Sequence, residues 1–238
     1  VDFAGRTANY VDPDSGEVHA CQLFVACLPC SDYGFVLAVP SQKIEDFLMA
    51  LERCVVFLGG VPAALVTDNL KSAVTKPCRY EPVISQALQQ FANHYGMTVL
   101  PTRVAHPRDK ALVENHVRLI YQRVLAPLRH QVFFSLSSLN EALAAQNQKL
   151  NQTRMQRKDH TREEKFLAAE KPLLQPLPEQ PFTQVYFHQA TVQNNNHVLL
   201  SADKHYYSVP YIHIGKSARI HYTRSLVEIY VQGVQVAA

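Results

Sequence analysis

No stretch of this chain approaches the roughly 20 consecutive apolar residues that a membrane-crossing helix requires. No secretory signal pattern is visible at its start. Strong charge of either sign is missing too: 23 Lys and Arg stand against 20 Asp and Glu, a formal net charge of +3. Overall charge therefore does not establish a nucleic-acid partner. Cysteine is sparse and odd in number, at Cys21, Cys27, Cys30, Cys54 and Cys78. Only Cys27 and Cys30 have CxxC spacing, and no second pair completes the four ligands of a structural zinc site. Thiols scattered through apolar stretches read instead as free, buried side chains of a protein from a reducing compartment. What is present is apolar bulk. With 47% hydrophobic residues in 238, the chain can build one sizeable core and a smaller module. It opens on Val1 rather than Met, inside a strand-like segment, and is expected to be an excised part of a longer protein with flanking domains.

Three strand-like segments come first, Val1 to Ala8, Val18 to Cys27 and Gly34 to Val39, and the turn cluster "PDSGE" joins the first two as a hairpin. Ile44, Phe47, Leu48, Leu51, Val55 and Leu58 then recur at helical spacing, with Ser41 as the expected N-cap and Gly59-Gly60 as the stop. "AALVTDN" reads as a short strand covered on both faces. A helix follows with Ile84, Leu88, Phe91 and Tyr95 on one side, ending at Gly96. "MTVLPTR" is another strand, and a long helix carries Val113, Val117, Ile120, Val124 and Leu128. A meander followed by alternating strands and helices predicts an α/β fold: a mixed five-stranded sheet with helices on both faces. Residues 131–170 are expected as a helical extension, with one helix over Leu139 to Leu150 and a capping box, Thr161 to Glu164, opening a short helix through Glu170. Four prolines at 172, 176, 178 and 181 make residues 171–182 a stiff linker. The Tyr-rich alternation of residues 183–238 predicts a small all-β barrel, whose closure removes exposed edges.

Three carboxylates sit where such a sheet places ligands. Asp2 lies in the first strand ("VDFAG"), Asp68 ends the fourth ("ALVTDN"), and Glu114 stands early in the long helix ("ALVENHV"), one position past the packed Val113 and so turned about 100° from the stripe. A lone Asp at a strand end is ordinarily a turn former, and a lone Glu near a helix start ordinarily complements the helix dipole. The three together, in this order on these elements, point to chemistry. Converging like charges call for a divalent cation. Hard oxygen ligands select Mg²⁺ or Mn²⁺, and two such ions about 4 Å apart suit phosphoryl transfer.

These residues resemble the D,D,E triad of retroviral-integrase-like transposases, which have an RNase H-like fold. The resemblance is closest to the IstA type of two-gene bacterial insertion sequences, which also encode a helper ATPase. The 45 residues between Asp68 and Glu114 suit that branch. "TREEKFLAAEKPLLQPLP" is similar to the family's helix and Pro-Leu-Pro linker after the core, and "HYYSVPYIHIGKSARIHY" to its C-terminal barrel with a Tyr-Ser-Val-Pro signature. The run "RDKALVENHV" departs from the usual sequence before the Glu, and Thr161-Arg162 lacks the usual Pro. On this resemblance residues 1–130 form the DDE core. Asp2, Asp68 and Glu114 are its catalytic metal ligands. The activity is two-metal 3′-end cleavage of transposon DNA followed by strand transfer into target DNA. The resemblance also implies a homo-oligomer, a helper AAA+ ATPase as partner, and the bacterial cytoplasm.

Candidate DNA contacts are Asn69, His106, Arg108, Lys110, Asn115 and Arg118, although a loop histidine is the commoner reading of His106. Between Arg103 and Lys165 twelve cations oppose six carboxylates, an excess of six around the third carboxylate. Such cations track phosphate, not sequence, while some are simply solvated helix faces. In the last 60 or so residues Lys204, Lys216, Arg219 and Arg224 interleave with Tyr206, Tyr207, Tyr211 and Tyr222, a surface for DNA or for protein. Two other functions fit the same fold: a non-catalytic DNA-binding or assembly module, and an RNase H-type nuclease that only hydrolyses.

Overall fold

A computed structural model describes residues 1–67, 74–76, 83–101, 111–223 and 225–238, with backbone alone at 74–76, 83–84, 101 and 111–113. The chain forms two compact units, Val1–Pro181 and Phe182–Ala238.

The first unit begins with the expected antiparallel meander, β1 (Asp2–Val11), β2 (Val18–Cys27) and β3 (Gly34–Val39). Asp12 closes the first turn by accepting the amides of Asp14 and Ser15 at 2.9 and 2.8 Å, and Gly16 supplies a left-handed φ of 72°. Period-two alternation gives the sheet two apolar faces. Phe3, Phe24 and Phe35 face α1 (Ile44–Leu58), whose Phe47 lies 6.0 Å from Phe3 and 5.8 Å from Phe24, ring centroid to ring centroid. Helix α1 stops at Gly59 as its sequence predicts, with φ 63°. Its start differs from expectation: the N-cap is Lys43, and Ser41 instead bonds the Asp46 carboxylate and accepts the Lys43 amide, bracing the first turn from outside.

Two further strands, β4 (Ala64–Thr67) and β7 (Thr98–Pro101), pair in parallel, separated in sequence by an unexpected ribbon of β5 (Val74–Lys76) and β6 (Val83–Ile84) and by α2 (Gln86–Tyr95). The Val1 main-chain nitrogen donates to the Val66 carbonyl at 2.7 Å, bringing the start of β1 beside β4, so meander and parallel pair contribute five strands of mixed direction. β4 is not covered on both faces: Leu65 and Thr67 are buried, Ala64 and Val66 exposed. An apolar run of this length does not by itself say how many faces are covered. Leu88, Phe91 and Tyr95 line the buried side of α2, but Ile84 belongs to β6, because Ser85 caps the helix by accepting the Leu88 amide at 3.3 Å.

The opposite sheet face, Ala4, Leu23, Val25, Val36 and Ala38, packs under a long helical run. That run is α3 (Ala111–Ile120), a π-helical turn over Tyr121–Leu125, and α4 (Ala126–Leu128), and it buries Ile120, Val124 and Leu128. Helix α5 (Leu136–Gln152) closes the same core with Leu139, Leu143 and Leu150. The expected capping box opens α6 (Arg162–Lys165): Thr161 Oγ1 accepts the Glu164 amide at 3.1 Å and Glu164 accepts the Thr161 amide at 2.8 Å. A π turn at Phe166–Glu170 carries the chain toward its prolines.

The second unit holds a four-stranded antiparallel sheet in the order β13 (Val234–Ala237), β12 (Val227–Val231), β11 (Ser217–Tyr222) and β8 (Tyr186–Thr191), plus a pair of β9 (His197–Leu200) and β10 (His205–Ser208). β12 and β13 form a hairpin that turns at Gln232 and Gly233, where φ is 53° and 84°. Val198, Leu200, Val209, Ile220, Ile229 and Val231 form its core.

Candidate active site

Asp2 opens β1 and is 8% exposed. Its strand partner is Val25, a member of the core under α3. Paired residues point to the same side of a sheet, and so do residues two apart on one strand. Asp2 therefore shares the α3 side with Ala4 and Val25. Its Oδ1 accepts the Phe3 amide at 2.9 Å. The Val1–Val66 hydrogen bond sets this carboxylate's strand beside the last residues of β4. Asp68 is the residue after that strand; it lies outside the described residues, as do Asn69, His106, Arg108 and Lys110.

Glu114 stands in the first turns of α3 and is exposed, as expected for a position rotated off the packed stripe. Asn115 and Arg118 are exposed beside it, and Arg118 donates to Asn115 Oδ1 at 2.9 Å. The helix thus shows Glu114, Asn115 and Arg118 outward, while His116, Val117 and Ile120 turn inward. Of the three carboxylates, Asp2 and Glu114 are described, one on the sheet face that α3 covers and one on α3.

Beneath Glu114 lies a polar cluster that motif reading did not identify. His116 is fully buried, and its Nδ1 sits 2.9 Å from Asp32 Oδ1. Arg162 Nε donates to Asp32 Oδ2 at 3.1 Å, and Arg162 Nη1 reaches the Leu150 carbonyl at 3.4 Å. Asp32 occupies the left-handed region, φ 56°, in the turn between β2 and β3. Gly34 completes the cluster. Its carbonyl accepts from Asn147 and Asn151 at 2.8 Å each, and its amide donates to Asn151 Oδ1 at 3.1 Å. A Cβ at Gly34 would stand 1.9 Å from His116 Nε2, so only glycine leaves room for the imidazole. Burial pushes the Asp32 carboxyl up, but the His116 hydrogen bond and charge and the Arg162 guanidinium outweigh it and hold it below its ordinary value.

Cys27, Asp32 and His116 have possible ligand atoms within 4.8 Å of one another. The donor chemistry argues against a metal centre. Both Asp32 oxygens already serve His116 and Arg162, and burial pushes the Cys27 thiol up to about 12, far from thiolate. The cluster reads as a buried ion-pair network tying the β2–β3 turn to α3, α5 and α6. The signal in the sequence was a histidine next to the apolar stripe of a helix, and it lacked a partner until folding supplied Asp32, 84 positions away, whose second oxygen is held by Arg162.

Residues 177–238 match the family model described as Mu transposase, C-terminal domain. Over 237 residues the chain is 40% identical to a putative transposase, y4bL/y4kJ/y4tB, of Sinorhizobium fredii, covering all of this chain and 46% of that protein. It is 39% identical to the putative transposase for insertion sequence IS408 of Burkholderia multivorans, again over the whole chain and 45% of the relative. The chain thus spans somewhat under half the length of the relatives it matches. In structure it aligns over its full length with 78% of a chain in the simian T-cell lymphotropic virus intasome, at TM-score 0.52 and 14% identity. At that identity the likeness is one of fold alone.

Proposed function

Because the chain belongs to the insertion-sequence transposases, we propose that it forms the catalytic part of such an enzyme, a DDE polynucleotidyl transferase of the IstA type. It cleaves transposon DNA to expose a 3′ hydroxyl, which then attacks a target phosphodiester in line, without a covalent protein intermediate. Residues 1–130 carry the chemistry, 131–170 extend that core, 171–182 link it, and 183–238 form the accessory β module. Asp2, Asp68 and Glu114 are the acidic triad. Their hard oxygen donors suit two divalent ions, Mg²⁺ or Mn²⁺, which would stabilise charge developing at the scissile phosphate. Asp2 orients its carboxylate by accepting its neighbour's amide, and the rigid β1 start fixes where that carboxylate stands. Asn69, His106, Arg108, Lys110, Asn115 and Arg118 are the proposed DNA contacts nearest the triad. The partners are transposon-end and target DNA, further copies of the chain, and a helper AAA+ ATPase, in the bacterial cytoplasm. Among the described residues, no helix is long and apolar enough to cross a membrane.

One observation carries this reading. The strand start bearing Asp2 lies beside the strand that leads to Asp68, and Asp2 shares the sheet face covered by the helix bearing Glu114. The test is joining of a pre-cut transposon end to plasmid DNA by the full-length protein with Mg²⁺. Glu114→Gln is expected to lower joining by more than the 10–100-fold typical of losing an outer-shell partner. Hydrolysis without joining would favour the nuclease, and DNA binding with neither activity would favour the assembly module.

A further inference from the structure

Between the outer half of α3 and the C-terminal end of α5 lies a cavity of about 650 Å³. Five cationic side chains line it: Arg118 from α3, Arg123 from the π turn, Lys149 from α5, Arg154 from the segment after α5, and Arg162 from α6. Among the described residues, its lining includes no carboxylate and no aromatic ring. Arg162 is committed to Asp32 and forms a fixed, buried wall. The other four are exposed. Arg118 donates to the Asn115 side chain and Arg154 to the Lys158 carbonyl at 3.1 Å, both neutral acceptors.

A helix C-terminus accounts for one nearby cation. It does not account for four cations drawn from α3, the π turn, α5 and the segment after α5 into one concavity. The carbonyls at the end of α5 are also engaged: Lys149 O accepts the Thr153 hydroxyl at 2.6 Å, and Leu150 O accepts the Thr153 amide at 3.3 Å as well as Arg162. Like charges focused in a cleft favour an anionic occupant. With no ring to stack a base and no carboxylate to read one, the lining suits phosphates over bases. Arg118 lies four residues after Glu114, on the same side of α3. The cleft therefore begins about one helical turn beyond the third carboxylate, on the same side of the helix.

We propose that this cleft binds the phosphodiester backbone of DNA, independently of sequence, and holds the strand that runs on from Glu114 past Arg118 to Lys149 and Arg154. The inference rests on the reading that the chain acts on DNA, but it concerns binding rather than chemistry. Its test is a fluorescence-anisotropy titration of the full-length protein with a labelled non-cognate duplex and with a transposon-end duplex. The titration is run without divalent ion across a range of salt. For Lys149→Gln with Arg154→Gln, affinity falls for both duplexes alike and the slope of log affinity against log salt drops by about two, close to one per lost phosphate contact. Lys149→Arg restores most of the loss at that position. Unchanged slope and affinity in the double variant would overturn the proposal, as would loss confined to the transposon-end duplex or loss seen only with Arg118→Gln. If the double variant does not fold, Lys149→Gln alone is read on the same scale, with an expected slope change near one. Failure of the wild type to join ends, alongside the expected binding losses, would count against the catalytic reading and leave this one standing.

Discussion

The two units bury different kinds of side chain. In Val1–Pro181 the buried set includes Asp2, Ser31, Thr67, His116, Asn147, Asn151 and Arg162 among its apolar residues. In Phe182–Ala238 every buried residue described is apolar, from Val192 to Val231. Apolar packing tolerates adjustment, because volume and pattern suffice to satisfy it. A buried polar network does not, because each donor and acceptor left unpaired costs its desolvation. The first unit thus fixes positions to within hydrogen-bond tolerance around the helix that bears Glu114. The second needs only that its sheets meet.

Substitutions can break that contrast, in decreasing order of expected effect. Ile220→Ala opens a cavity in the second unit and is expected to cost about 3–4 kcal/mol. Hydrogen exchange should quicken across β8 to β13, with β1 to β3 unaffected. Arg162→Met leaves Asp32 without its guanidinium and is expected to destabilise the first unit by about 3 kcal/mol, measured by urea unfolding. That is the low end for a broken buried pair, since the Asp32 side chain keeps 15% exposure. Gly34→Ala forces a Cβ onto the His116 imidazole and is expected to cost about 2 kcal/mol. Combined with His116→Ala, the two losses should fall short of their sum, which a double-mutant cycle would detect.

The smallest effect is one of pH. The Asp32 carboxyl is held below its ordinary value of 3.8 in the folded chain. Between its folded and unfolded pKa values the unfolded state binds more protons, so its contribution is present in full above the unfolded value and is lost as pH falls through the folded one. Asp32→Asn should flatten the acid limb of the first unit's stability curve below about pH 4 and change its slope little at neutral pH.

Much of this architecture was legible in residue order because the signals were local. The hairpin turn at Asp12, the Gly59 stop and the Thr161–Glu164 box each involve neighbours within a few positions. Failures came where two local options competed. Ile84 fits the stripe of α2, but Ser85 caps that helix one residue later and leaves Ile84 to a strand. The candidate site divides the same way. Asp2 and Glu114 could be named from motif spacing, whereas the Asp32–His116–Arg162 network joins three distant segments and becomes visible only when the sheet and three helices are assembled. Arg123, Lys149 and Arg154 counted toward a regional charge excess, but only the cavity groups them.

Strand β1 contains an irregularity whose arithmetic matters for Asp2. Ala4 pairs with Leu23 and Ala8 with Cys21, so the strand advances four residues while its partner advances two. Tyr121, on the π turn, accepts the Arg6 amide at 2.7 Å across this bulge. The surplus is even, so the inside-outside alternation emerges unchanged, and Asp2, Ala4 and Ala8 all look toward the same helices. Parity is therefore built into the strand. Deleting two residues from positions 5–7 would remove the surplus and leave Asp2 on the side where Glu114's helix lies, without the bulge that the Tyr121 hydroxyl bridges.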